Sequence, residues 1–217
     1  MASVNAPRGL VLARKNGSGS NSTGVTMIPV GDNISPIVPS AALPSNIFTG
    51  DPITIYGLGT ITATSVAKTN LKSAGVFQGC NYVDSNGDQK FSRHWVGGTT
   101  ATDVELHVAT DPAQTYFIQA DGVVTAADGI GAGVWNCPWT AGAGSTKTGN
   151  SGYEMDADGN TLAPAAGNMR VIRRAPWDTA TSSSAGETDG YPWYEVRLNL
   201  HFDHYVGATV TATAASS

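Results

Sequence analysis

Two acidic loops space their oxygens as a calcium loop begins: Asp84-Ser85-Asn86-Gly87-Asp88 and Asp156-Ala157-Asp158-Gly159-Asn160. An EF-hand loop also needs Gly at its sixth position, a bidentate Glu at its twelfth and a helix on each side. From Asp84 those positions hold Gln89 and Trp95, and from Asp156 they hold Thr161 and Gly167. Val76, Gln78 and Cys80 alternate with Phe77, Gly79 and Asn81, which is the period of a strand rather than a helix. Both loops are therefore expected to be hairpin turns, at Asn86-Gly87 and Asp158-Gly159, with positive φ at both central positions and no required metal.

The other chemical residue types are less organised. His201 and His204 flank Asp203 in "HFDH", but in a strand they point to opposite faces and do not share an ion. His94, next to Trp95, reads as a packing neighbour. Serines are abundant, yet no G-x-S-x-G elbow marks one as a nucleophile. "GAGSTKTG" (142–149) lacks the Gly before Lys147 and the following helix that a phosphate loop requires, and "GIGAG" (129–133) lacks a βαβ setting. Cys80 and Cys137 form no C-x-x-C pair and are expected to be free, buried thiols. No catalytic residue, metal ligand or cofactor follows from these patterns, and a non-enzyme is expected.

The densest basic cluster is "RVIRRAPW" (170–177). Strand alternation puts Arg170 with Ile172 and Arg174 on one face and Arg173 with Val171 on the other. Such a cluster is either a solvated edge that discourages unwanted pairing or an anchor to an acidic partner. The charge is uneven: residues 1–31 hold Arg8, Arg14 and Lys15 and no acid, whereas the remainder holds nine basic and 17 acidic residues. A basic arm on an acidic body suits an acidic protein surface. Three charges without interleaved aromatics make a poor phosphate track, so nucleic acid is not an expected partner.

The elements that would position these residues read as strands. Only 13% of the 217 residues are charged, 26 are Gly and 11 Pro, and helix-period runs are absent, which together point to an all-β chain with many turns. Strand patterns occupy 50–57, 60–67, the hairpin 75–93, 103–110, 115–121, 152–162, 169–175 and 192–202. Val104, Leu106 and Val108 alternate with Asp103, Glu105 and His107, and Val196, Leu198 and Leu200 with Glu195, Arg197 and Asn199, as in antiparallel strands with one buried face. Loops are expected at 126–133, 140–152 and 178–190. The expected architecture is an antiparallel β-sandwich or barrel over 51–205, with a tail or edge strand at 206–217. Residues 1–50, with a Gly/Ser-rich stretch (15–24) and three prolines in 34–44, read as an extended N-terminal arm and linker that leaves the body. No secretory leader pattern and no run of ~18 apolar residues is seen, so folding in a cytoplasm without membrane contact is expected, and the sequons at Asn21 and Asn33 carry no meaning there.

Several segments recur in this order in one family: "VNAPRGLVLAR", "GDPITIYG", "GVFQGCNYVDSNGDQKFSRHWVGG", "DPAQTYFIQAD", "NSGYEMD", "MRVIRRA" and "YEVRLNLHFDHY". From residue 4 to about residue 205 the chain resembles the head decoration, or cement, proteins of tailed bacteriophages. The stretch "LVLARKNGSGSN" departs from the apolar and aromatic continuation usual there. The resemblance implies a structural protein made in the host cytoplasm and carried on the outside of the phage head. Its partners would be the major capsid protein and further copies of itself, as a trimer rather than a dimer. The contact residues expected from the basic arm, its apolar anchors and the basic strand are Arg8, Leu10, Arg14, Lys15, Arg170, Arg173 and Arg174. A different class, a carbohydrate-binding module, would stack sugars on loop aromatics such as Trp135, Trp139 and Trp177. A hydrolase would need His94, His201 or His204 in one pocket with a Ser or Asp.

Overall fold

A computed structural model describes residues 4–15, 25–30, 46–56, 60–63, 75–124, 135–157, 167, 169–178, 182–183, 186–187 and 190–199. Within them the chain is all-β: the strands are joined by turns, every strand-to-strand ladder is antiparallel, and no helix occurs. The β-branched and aromatic residues in alternating runs favour this backbone, and Gly and Pro interrupt it.

The first large sheet is built from β1 (Val11–Lys15), β10 (Gln114–Gln119), β17 (Trp193–Leu198), β14 (Met169–Arg174) and β11 (Trp135–Cys137), in the order β1-β10-β17-β14-β11. The second is built from β2 (Val25–Val30), β9 (Ala101–Ala109), β6 (Gly75–Asp84), β4 (Pro52–Tyr56) and β5 (Thr60–Ala63), with β7 (Gln89–Ser92) also on β6. Short pairs complete the described set: β3 (Ile47–Phe48) with β8 (His94–Trp95), β12 (Trp139–Thr140) with β13 (Glu154–Met155), and β15 (Ser182–Ser183) with β16 (Gly186–Glu187).

Alternation decides what each sheet buries. Tyr116, Ile118, Tyr194, Val196, Leu198 and Met169 turn one face of the first sheet into a core that Trp139, Tyr153 and Leu10 complete. Phe77, Cys80, Val104, Leu106 and Val108 form a second core with Ile47 and Trp95. Val76 and Ala109 belong to the first core and their neighbours Phe77 and Val108 to the second, so β6 and β9 carry a core on each face at one end. The period in 103–108 is met as expected: Val104, Leu106 and Val108 are buried and the residues between them are not. Pro52 opens β4, where its missing N–H is harmless.

Residues 4–15 do not leave the body, contrary to the expectation for the arm. Leu10 is 1% exposed within the first core, and β1 pairs with β10 through Val11↔Phe117 and Leu12↔Tyr116. The Ala6 N–H donates to Gln119 Oε1, and Gln119 Nε2 donates back to the Val4 carbonyl, both at 2.9 Å. β2 likewise pairs with β9 along its whole length, Val25↔Ala109 through Val30↔Val104. The Gly/Ser-rich and Pro-rich stretches between these strands lie largely outside the described residues, as do loop 126–133 and the tail 206–217.

Two further expectations change. In the hairpin of β6 and β7 only Gly87 is left-handed, at φ 85°, and Asn86 is not. The Asp84 N–H donates to the Asp88 carbonyl and the Gly87 N–H to the Asp84 carbonyl, the pattern of a three-residue loop closed by one left-handed Gly. The second change is in β14, where the register shifts between Val171 and Arg173. That bulge reverses the alternation, so Arg173 pairs across from Glu195 on the face opposite to buried Val171 and Val196.

Candidate functional site

The outer face of the first sheet, away from its core, carries two of the basic residues the sequence singles out, Arg170 and Arg173. Cross-strand register aligns Asn136, Arg170, Arg197 and Thr115 in one row across β11, β14, β17 and β10. The next row holds Arg173, Glu195, Phe117 and Val11. Glu195 is fully buried there, in contrast to the solvated position its alternation implied. It is satisfied: Thr115 Oγ1 donates to Oε1 at 2.9 Å and Arg173 Nε donates to Oε2 at 2.6 Å. A buried carboxylate without such partners would be strongly disfavoured.

The arginines of β14 and β17 divide into two kinds. Arg173 is committed to Glu195, and Arg174 Nη2 donates to Asp178 Oδ1 at 3.1 Å. Asp178 also accepts the Trp193 N–H, at 2.6 Å, so this pair fastens the turn 175–178 to β17. Arg170 and Arg197 sit directly opposite one another, half-buried, and neither has a carboxylate partner among the described residues. Like charges in register repel, so the pair carries uncompensated positive charge among the described residues. In the next row, Phe117 meets Trp177 edge-on with ring centroids 4.2 Å apart, and Trp177 is 57% exposed. Ile172 and Val11 are exposed on the same β14 and β1 strands.

A second basic locus lies at the β1 edge of this sheet. Arg8, Val11 and Leu12, from one stretch of chain, line a cleft of about 370 Å³ together with Thr49, Gln78 and Arg93. The walls are pinned by backbone: Leu10 N–H donates to the Gly50 carbonyl, Gly50 N–H to Phe77, and Thr49 Oγ1 to the Arg93 carbonyl at 2.5 Å. Arg93 Nη2 reaches Asn150 Oδ1 at 3.3 Å, and no carboxylate of the described residues neutralises Arg93 or Arg8. Below the cleft Asp51 is buried; its Oδ2 accepts the Phe48 N–H at 2.8 Å, and its side chain also bonds Ser151. Burial outweighs these bonds and pushes its carboxyl up to about 6.

The seven residues expected at a contact are thus dispersed. Arg8 enters the cleft, Leu10 is core rather than surface, and Arg14 and Lys15 lie in edge strand β1. Arg170 joins Arg197, while Arg173 and Arg174 brace the fold. Arg197 and Arg93 are the additions. The first was legible as the polar alternate of "YEVRLNL"; the second had no local cue, because its partners come from residues 8, 49, 78 and 150.

The chemical candidates resolve as follows. Asp84 Oδ1 accepts the N–H groups of Asn86 (2.9 Å) and Asp88 (3.0 Å), and Lys90 Nζ lies 3.4 Å from Oδ2, so this carboxylate is spent on the turn. Of the second acidic loop, Asp156 and Ala157 are described; Asp158-Gly159-Asn160 lies outside the described residues. Among the described residues no group of three or more His, Cys, Asp and Glu is arranged to hold a metal. Cys80 and Cys137 are free and sit in different cores, and burial raises both thiols, Cys80 to about 12. His94 stacks on Phe48 at 5.8 Å, and His107 Nε2 bonds Asn81 Oδ1 at 2.6 Å. His201, Asp203 and His204 lie outside the described residues.

No family model, curated protein or solved structure matches this chain.

Proposed function

We propose that the chain is a structural virion protein: a decoration protein that binds the outside of a phage head and bridges capsomers to stabilise it. In this reading the two main sheets are the layers of a sandwich-like body. The partners are the major capsid protein and other copies of the chain, arranged as a trimer. The observation that carries the reading is the Arg170–Arg197 pair, half-buried and without a carboxylate partner among the described residues, on the sheet face where exposed Trp177 meets Phe117 one row away. An arginine pair beside an aromatic is the composition of an interface centre, where a partner carboxylate gains two charge-assisted bonds. The rest of the surface is poor in charge, and the ordered series of sequence segments resembling the decoration family supports the same assignment. Many such modest contacts on one shell combine by avidity.

Co-sedimentation with expanded, undecorated shells tests it. The native chain should pellet at a fixed stoichiometry, and Arg170→Gln with Arg197→Gln should weaken attachment by at least about tenfold, the equivalent of one lost charged contact. A native chain that stays in the supernatant at every shell concentration overturns the assignment. One observation favours the carbohydrate-binding reading as second: Trp177 is open to stack on a sugar. Trp139 is not available for that role, being 1% exposed. A glycan array with the native chain and Trp177→Ala separates the two readings, since decoration predicts no glycan signal.

A further inference from the structure

We infer that the Arg8–Arg93 cleft is a docking groove for an extended acidic peptide segment of a partner protein, which adds as a strand to the free edge of β1. This deepens the decoration reading and rests on it for the identity of the partner; the groove itself rests on geometry.

Three observations converge. First, β1 is the terminal strand of its sheet, paired to β10 on one side only among the described residues, and its Val11 and Leu12 line the cleft. An extended peptide is the one ligand that satisfies the backbone groups of such an edge. Second, two arginines line the cleft, Arg8 and Arg93, with no carboxylate partner among the described residues. Guanidinium forks match carboxylates in geometry as well as charge. Third, Val11, 39% exposed, and Leu12 offer an apolar wall alongside the charges. A strand with alternating apolar and acidic side chains places both kinds of group in reach of their partners.

Nucleic acid fits this groove poorly. Among the described residues Arg8 and Arg93 are its only lining cations and no aromatic lines it for base stacking, and the chain carries a net −5. Pre-formed walls also matter energetically. The cleft is fastened through Leu10, Gly50, Thr49 and Phe77, so the peptide alone is ordered on binding.

The test uses the full chain and three labelled peptides in fluorescence anisotropy. The first alternates valine and glutamate; the second replaces glutamate by glutamine; the third keeps glutamate but is N-methylated at alternate residues. The glutamate peptide should bind, and the glutamine and N-methylated forms should each bind at least about tenfold more weakly. Arg93→Gln with Arg8→Gln should reduce glutamate-peptide binding to the glutamine level, and amide exchange at residues 11–15 should slow on binding to the native chain. Failure of the glutamate peptide to bind, or equal binding of the glutamine form, overturns the acidic occupant. Equal binding of the N-methylated form overturns strand addition. Competition by inorganic phosphate or an oligonucleotide at matched charge shows a general anion patch and also overturns the proposal. Shell co-sedimentation reports on decoration separately: a double variant that loses peptide binding yet pellets normally removes the groove from attachment and leaves the decoration reading standing.

Discussion

The tip of the β6–β7 hairpin and the crossing beneath the cleft both turn the chain with a left-handed glycine and an aspartate, yet they are built on opposite principles. At the tip, Gly87 (φ 85°) has nothing near where a Cβ would stand, and Asp84 bonds neighbours two and four residues away. At the crossing, Gly9 (φ 65°) would place a Cβ 2.4 Å from Ser151 Cβ and 2.6 Å from the Gly50 carbonyl. Asp51 there is buried, and the segments it holds together come from residues 8–10, 48–51 and 149–151. One turn is local and open; the other is a long-range knot of backbone with no spare volume. The difference teaches where stability is concentrated and which glycine is dispensable.

The same substitution at both glycines is the strongest way to break the comparison. Gly9→Ala meets conformational strain and a steric clash with backbone and Ser151 together, so a loss of about 3–5 kcal/mol is expected. Urea denaturation should show a large fall in midpoint or no cooperative transition. Gly87→Ala meets strain alone, and about 1 kcal/mol is expected. Equal losses at the two sites would mean that the crossing is not close-packed.

Asp51 gives the next largest effect, and its sign is unusual for a carboxylate. Its folded value of about 6 lies above the unfolded 3.8, so the native state binds the proton first. The stabilising contribution is complete below about 3.8 and is lost as pH rises through about 6. Full loss is on the order of 3 kcal/mol by linkage. Asp51→Asn keeps an acceptor for the Phe48 N–H and removes the charge. Relative to this variant, the native chain should gain stability on acidification from neutral pH to about pH 4, as read from denaturant midpoints at several pH values. Parallel pH profiles for the two proteins would show that Asp51 is not held in its neutral form by burial.

These two sites also mark how far the residues can be read before the fold is known. The alternation in "DVELHVA" decides its own burial, because a strand's two faces are set by adjacent residues, and Val104, Leu106 and Val108 lie where it puts them. The position of the hairpin tip is legible for the same reason. Its type is not: Asn-Gly favours two left-handed residues, but Asp84 captures the Asn86 and Asp88 N–H groups and a one-glycine loop results. Strand β1 escapes notice because "LVLARK" is short and next to Gly/Ser-rich sequence, and its burial is decided by Tyr116 and Gly50, far along the chain. The bulge at Ile172 leaves no mark in "MRVIRRA" and reverses the face of Arg173. The cleft is less legible still, since Arg8 and Arg93 meet only after both sheets are assembled.

The smallest expected effect sharpens the comparison from the other side. Asp84 is half-buried at the base of the tip, and the Asp88 and Asn86 N–H groups hold its carboxyl below the usual carboxylate range, with Lys90 adding to the effect. A depressed folded value stabilises above the unfolded value and is lost as pH falls through the folded one, so this contribution fades below about 3.8, the reverse of Asp51. Asp84→Asn retains one acceptor for the loop N–H groups but gives up the charge. Near neutral pH it should lower the thermal midpoint slightly, and less at high salt, where the Lys90 attraction is screened. Asp51→Asn should show little salt dependence, because its carboxylate is removed from solvent and has no cation among its partners. A salt-independent loss at Asp84 would assign its role to the backbone hydrogen bonds alone and leave Lys90 as a bystander at the tip.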